Sequence, residues 1–192
     1  NRETSAEKAY EDYAEVTRHL IPYVDAVVVN ISSPNTQGLR ALQSKDSVGF
    51  LIEKVVAEAQ GKPVLVKFSP DENEVSLQDS LDTAAASGAE GFILTNTTLT
   101  RPADSRWPES GGISGAFLRE ASLRALKVAV RHFQNAPTRP LLVSAGGVLT
   151  PEDVAQRLDL GADLVQVYAA LVFSGPGFAR QVAAHFQKEG KA

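Results

Sequence analysis

The chain has 192 residues, 43% of them apolar and 22% charged, with a formal net charge of -4. That is the balance of an ordinary globular domain with a sizeable core, and its acidity argues against a nucleic-acid partner, which calls for a basic face. There is no cysteine, so disulfides, thiolate nucleophiles and cysteine-ligated zinc or iron–sulfur clusters are excluded.

The first pattern, Ser5–Leu20, carries apolar residues at helical spacing. It leads into an apolar run, DAVVVNI (Asp25–Ile31), which ends in Asn30 followed by Ser32, Ser33 and Asn35. A turn needs one or two such small hydrogen-bonding residues, and this segment has more. A helical pattern over Lys45–Gln60 precedes the second run, PVLVKFS (Pro63–Ser69), and one over Glu74–Ser87 precedes the third, GFILTNT (Gly91–Thr97). After a glycine-rich loop, ESGGISG, come a helix over Phe117–Phe133 and the fourth run, PLLVSAGG (Pro140–Gly147). Thr150-Pro151-Glu152-Asp153 then opens a helix over Pro151–Leu160 with an N-cap, a proline at the first position and acids in the first turn. The fifth run, DLVQVYA (Asp163–Ala169), and a helix over Gly177–Lys188 complete the chain. The near-copies SGAEGF and LGADLV each end a helix on a glycine and enter a strand.

The five runs do not alternate with polar residues, as expected of strands buried on both faces of a parallel sheet. Alternating strands and helices predict a parallel α/β fold, with residues 1–192 forming a single domain. A doubly wound sheet and a (β/α)₈ barrel both fit this order. Eight βα units take about 250 residues, so five units behind a leading helix read as the last five-eighths of a TIM barrel. The chain begins at Asn1 and contains no methionine, and the expectation is that further N-terminal strands belong to a longer chain. No run is long enough to span a bilayer, and no signal peptide is visible. His19, His132 and His185 lie beside charged residues in helical stretches and read as surface residues.

In a barrel the C-terminal strand ends meet on the face where active sites lie. Lys67 stands inside VLVKF, where an ammonium needs an anion or strong acceptor; it is predicted to bind a ligand. Gly146 and Gly147 follow the fourth strand and Tyr168 ends the fifth. Barrels bind phosphate at the loops after their last two strands, using backbone N–H groups and a short helix N-terminus. There is no cluster of histidines or carboxylates for metal hydrolysis, and no Ser-His-Asp set. The hard chemistry is left to a phosphate-bearing cofactor.

NISSPNTQGLRALQ, VLVKFSPD, LTNTTLTRP, GGISG, GGV and GADLVQVYAAL, in this order and spacing, resemble the class 2, quinone-dependent dihydroorotate dehydrogenases. These are FMN-containing (β/α)₈ barrels of pyrimidine (UMP) biosynthesis. The resemblance covers nearly the whole chain. It implies oxidation of (S)-dihydroorotate to orotate, with a proton leaving C5 and a hydride leaving C6 for the flavin, and a quinone as electron acceptor. It makes Ser33 the catalytic base, with Thr36 and a water as a proton-relay candidate. Asn30, Asn35, Asn96 and Thr97 would bind the pyrimidine ring, Asn30 also meeting the cofactor. Lys67 would contact the flavin, Thr95 and Ser114 would line its site, and Gly115, Gly147, Tyr168 and Ala169 would hold its phosphate through backbone N–H groups, with Gly146 also in the cofactor site. No metal is implied. Class 1 enzymes place cysteine at the base position, so Ser33 decides for class 2.

The family also implies a membrane-associating N-terminal helical segment, absent from this sequence, that admits quinone. The expected location is peripheral, on the cytoplasmic face of a bacterial inner membrane or on the mitochondrial inner membrane. Members commonly carry Thr or Ser where this chain has Ala169, so a hydroxyl contact to the phosphate would be lost while a backbone contact would survive. Another FMN barrel, such as a dihydrouridine synthase, shares the phosphate loops, and a non-catalytic barrel fragment shares the fold. The acidic balance and the Asn/Ser loop count against the first, and intact Asn30, Ser33, Lys67 and Asn96 against the second. Trp107, in SRWPES, is expected to anchor its loop and not to contact quinone.

Overall fold

The computed structural model describes residues 8–32, 45–103, 106–188 and 190. Five parallel strands form one sheet: β1 (Val27–Asn30), β2 (Val64–Lys67), β3 (Gly91–Leu94), β4 (Leu141–Ala145) and β5 (Leu164–Gln166). Helix α1 (Ala9–Leu20) precedes β1. Helices α2 (Lys45–Glu58), α3 (Glu74–Ala86), α4 (Arg119–Phe133) and α5 (Pro151–Asp159) each connect one strand to the next. A short α6 (Ala169–Ser174) and α7 (Phe178–Lys188) follow β5.

The strands lie side by side in chain order, β1 to β5. A doubly wound sheet must reverse its order at a switch point. Unbroken order is what consecutive staves of a barrel give, so topology decides between the two architectures that the periodicity left open.

Alternate residues point to opposite faces of a strand, and the two faces differ. Val64, Val66, Phe92, Leu94 and Leu142 pack toward the helices. They meet an α2 stripe of Val48, Leu51, Ile52 and Val55, spaced as one helix face. The opposite face carries a smaller cluster of Leu65, Ile93, Val143 and Ala145. Lys67, two residues beyond Leu65, belongs to this second face. Val66 and Phe68 flank it in sequence but are buried on the helix side. Its apolar surroundings therefore come from across the sheet rather than from its sequence neighbours.

The expected strands are all present but shorter than their apolar runs. The fifth stops at Gln166, and Tyr168 caps α6 instead of ending the strand. Thr150 heads α5 as expected, its hydroxyl accepting from the Asp153 N–H at 3.2 Å, and Asp153 completes a capping box by accepting from the Thr150 N–H at 3.0 Å. The histidines are more engaged than a plain surface reading implies. His132 lies 2.7 Å from Asp82 between α4 and α3, and His185 lies 3.5 Å from Glu152 between α7 and α5.

Candidate functional site

At the C-terminal ends of β1 to β3 the register sets Asn30 beside Lys67 and Lys67 beside Ile93. A hydrogen-bond network joins four chain segments here. The Asn96 amide donates to Asn30 Oδ1 at 3.2 Å and to Ser32 Oγ at 3.1 Å. Ser32 Oγ donates to the Lys67 carbonyl at 2.8 Å. Asn96 Oδ1 accepts from the Thr97 N–H at 2.8 Å, and the Tyr13 hydroxyl on α1 donates to the Asn30 carbonyl at 2.9 Å. Ser32 is 1% exposed, so its hydroxyl is committed to holding this frame. Among the described residues no carboxylate pairs with the Lys67 ammonium, and burial pushes its pKa below the ordinary lysine value.

A cleft of about 420 Å³ opens beside this network, within the roughly 300–1,000 Å³ usual for small-molecule sites. Lys67, Thr95, Asn96 and Thr97 line one side; Ser114, Gly115, Gly146, Gly147, Tyr168 and Ala169 line the rest. Among the described residues, Lys67 is the one charged residue in that wall. The site therefore has a cation at one end and glycine backbone at the other, with carboxamides and hydroxyls between them.

The glycines are fixed by space as well as by conformation. Gly147 has φ +70°, and a Cβ there would lie 2.4 Å from Arg119 Cα and 2.5 Å from Arg119 N. Backbone cannot swing aside as a side-chain tip can. Gly147→Ala is therefore expected to destabilise the protein by about 2–5 kcal/mol, combining left-handed strain with overpacking. Gly115 has a similar φ of +71° but nothing within 4 Å of its Cβ position, so Gly115→Ala should cost only about 1 kcal/mol. Urea unfolding of both variants checks the difference; equal losses would mean that the Arg119 contact is not limiting.

The loop after β3 borders the cleft. Asp71 accepts from the Thr98 hydroxyl and, at 2.9 Å, from the Leu99 N–H. Arg101 donates to the carbonyls of Leu99, Pro108 and Gly111 at 2.7–2.8 Å. Trp107 stands edge-on to Phe117 with centroids 5.1 Å apart, which fits a loop anchor.

Of the site residues read from sequence, the structure gathers Lys67, Thr95, Asn96, Thr97, Ser114, Gly115, Gly146, Gly147, Tyr168 and Ala169 around one cleft, and Asn30 joins them through Asn96. Ser33, Asn35 and Thr36 lie outside the described residues. Gln166 and Val167 also line the cleft and were not anticipated. Nor was Arg157, fully buried behind Gly146 and donating to its carbonyl at 2.6 Å. Among the described residues no three histidines, cysteines, aspartates or glutamates gather as metal ligands, and no helix is long and apolar enough to cross a membrane.

The family model for dihydroorotate dehydrogenase matches residues 3–189. The dihydroorotate dehydrogenase (quinone) of Anaeromyxobacter sp. (strain K) is 42% identical over 191 residues, covering 96% of this chain and 52% of that protein. The protein of the same name from Deinococcus radiodurans is 39% identical over 198 residues, covering 98% of this chain and 53% of its own. Among solved structures, ligand-free DHODH from Eimeria tenella superposes with a TM-score of 0.87 at 28% identity, over 100% of this chain and 59% of that one. Its complex with ferulenol gives the same TM-score at 27% identity, over 99% and 57%. The chain thus spans about half the length of the curated relatives it matches.

Proposed function

The chain belongs to the dihydroorotate dehydrogenase family, and on that premise we propose that the full-length protein oxidises (S)-dihydroorotate to orotate with FMN in the cleft and a membrane quinone as final acceptor. This is a step of de novo pyrimidine biosynthesis. One observation carries the assignment beyond the family name: the cleft sets a half-buried lysine opposite a glycine-rich turn, with Asn30, Asn96 and Thr97 beside it.

The residues fit the cofactor. A lysine with no carboxylate partner among the described residues suits an electron-rich ring edge, and the glycines leave backbone N–H groups close to an anion. Bound FMN would supply the two-electron acceptor that no side chain here can provide. Lys67 would hold a positive charge beside the flavin ring. Gly115, Gly147, Tyr168 and Ala169 would hold the phosphate through backbone N–H groups, with Gly146 shaping the turn. Thr95 and Ser114 would line the cofactor site.

Asn30, Asn35, Asn96 and Thr97 read the alternating N–H and C=O groups of the substrate ring, since a carboxamide offers donor and acceptor together. Asn96 has one amide already engaged with Asn30 and Ser32, which fixes the direction of its plane. Ser33 takes the C5 proton, with Thr36 and a water as its route outward. A serine is a weak base at neutral pH and acts only while its own proton can leave. The quinone, and a peripheral site on the cytoplasmic face of a bacterial inner membrane, extend from the quinone-type bacterial relatives.

The test is anaerobic mixing of the full-length protein with dihydroorotate while the visible flavin band is followed. Rapid bleaching is expected. A flavin that stays oxidised would mean a different substrate, and a protein without flavin would leave only the fold.

A further inference from the structure

Arg157 is the largest fully buried side chain among the described residues, at 0% exposure. It projects from α5 under the turn after β4. Its Nη1 donates to Ser144 Oγ at 2.7 Å, and its Nη2 donates to the Gly146 carbonyl at 2.6 Å and to Ser122 Oγ at 3.1 Å. The Ser122 hydroxyl also donates to the Gly146 carbonyl, at 2.8 Å. No carboxylate among the described residues bonds this guanidinium, and its Nε has no partner. Asp153 sits nearby but is engaged by Arg119, whose own Nε is likewise buried without a partner. Two guanidiniums against one carboxylate leave a net positive charge directly behind Gly146 and Gly147.

A buried cation without a direct counter-ion is costly unless an anion completes it. Desolvation pushes the Arg157 pKa down to about 10, so the side chain stays charged at neutral pH. The direction of its hydrogen bond also matters. In a trans peptide the carbonyl and the following N–H point opposite ways. Arg157 and Ser122 draw the Gly146 carbonyl inward, away from the cleft, and so turn the Gly147 N–H outward. Among the described residues no acceptor takes that N–H, and Gly147 lines the cleft.

We propose that Arg157 is a positioning residue for the phosphate monoester of the cofactor: it locks the Gly146–Gly147 peptide with its N–H facing the cleft and places a positive charge behind it. The inference rests on the FMN reading. It predicts that Arg157 acts on the phosphate end of the ligand and not on the ring.

The experiment compares FMN with riboflavin, which lacks the phosphate, in full-length protein stripped of flavin, with Kd read from quenching of flavin fluorescence. The natural protein is expected to prefer FMN. Arg157→Gln should weaken FMN about tenfold and leave riboflavin unchanged, and Arg157→Lys, which keeps the charge, should lose only about threefold. Equal weakening of both flavins in the glutamine variant would make Arg157 a purely structural residue and overturn the proposal, as would no change at all. Should only the lysine variant fold, a loss confined to FMN supports the proposal and a loss shared by riboflavin overturns it. If the natural protein binds neither flavin, the cofactor reading fails, and the rise in Tm with inorganic phosphate decides for Arg157. A rise kept by the lysine variant and lost with glutamine supports the proposal; an equal rise in all three proteins, or none, overturns it.

Discussion

Replacing Ser33 by alanine is expected to slow reduction of the bound flavin by dihydroorotate about 10²–10⁴-fold, the range over which a positioned acid or base contributes. Ser32→Ala should instead fall mainly on stability, at about 1–3 kcal/mol for a buried hydrogen-bonding group removed from its partners. The two serines are adjacent, yet their chemistry separates them. Ser32 is buried, its proton goes to the Lys67 carbonyl, and its oxygen accepts from Asn96. A general base must reach the substrate, and Ser32 is buried, engaged with Lys67 and Asn96, and not among the residues that line the cleft. On the function proposed above, Ser33 takes the role of base from its place in the motif NISSPNT. Stopped-flow absorbance and urea unfolding on both variants read the two effects independently. If Ser32→Ala were the slower enzyme, the roles would be reversed.

The strands were legible because buried parallel strands leave uninterrupted Val/Leu/Ile runs. Their ends were not, because small residues such as those of SAGGV continue a run without continuing the ladder. Periodicity could not separate a barrel from a doubly wound sheet, since both require the same strands and helices; the difference lies in spatial order. Helix α6 escaped notice because AALVFS is a short apolar segment with too few residues to show a helical period. Tyr168 was then read as a strand end, although its backbone has already turned to cap that helix.

The site followed the same pattern. Motif residues at strand ends were named in advance, because each strand brings its own to one face. Arg157 was missed because an arginine on an amphipathic helix ordinarily faces water. Its burial depends on Ser122, Ser144 and Gly146, which come from two other elements and a turn. Lys67 was found, but its environment was inferred from Val66 and Phe68, which face the other way. Pleat geometry, more than local sequence, sets what a strand residue touches.

Lys67→Met is expected to slow flavin reduction about 10²–10³-fold, the usual loss when one preorganised electrostatic contact is removed, while raising the stability of the flavin-free protein. The two effects share a cause. Methionine has nearly the same length and packs against Leu65 and Ile93 without a charge to desolvate. In the flavin-free protein the ammonium has no carboxylate partner among the described residues, and burial holds its pKa below the ordinary 10.5. Between the folded and unfolded pKa values the unfolded chain binds more protons, so stability rises with pH across that alkaline window. The penalty is fully present below the folded pKa and is relieved as pH approaches 10.5. Methionine should abolish that rise, and unfolding curves at neutral and alkaline pH measure it. A bound electron-rich ring reverses the balance by giving the ammonium the partner it lacks, so the natural protein should gain more stability from FMN than the variant does. A variant as fast as the natural protein would remove Lys67 from the chemistry. One that is slower but no more stable would mean that the lysine already has its counter-ion before the cofactor arrives.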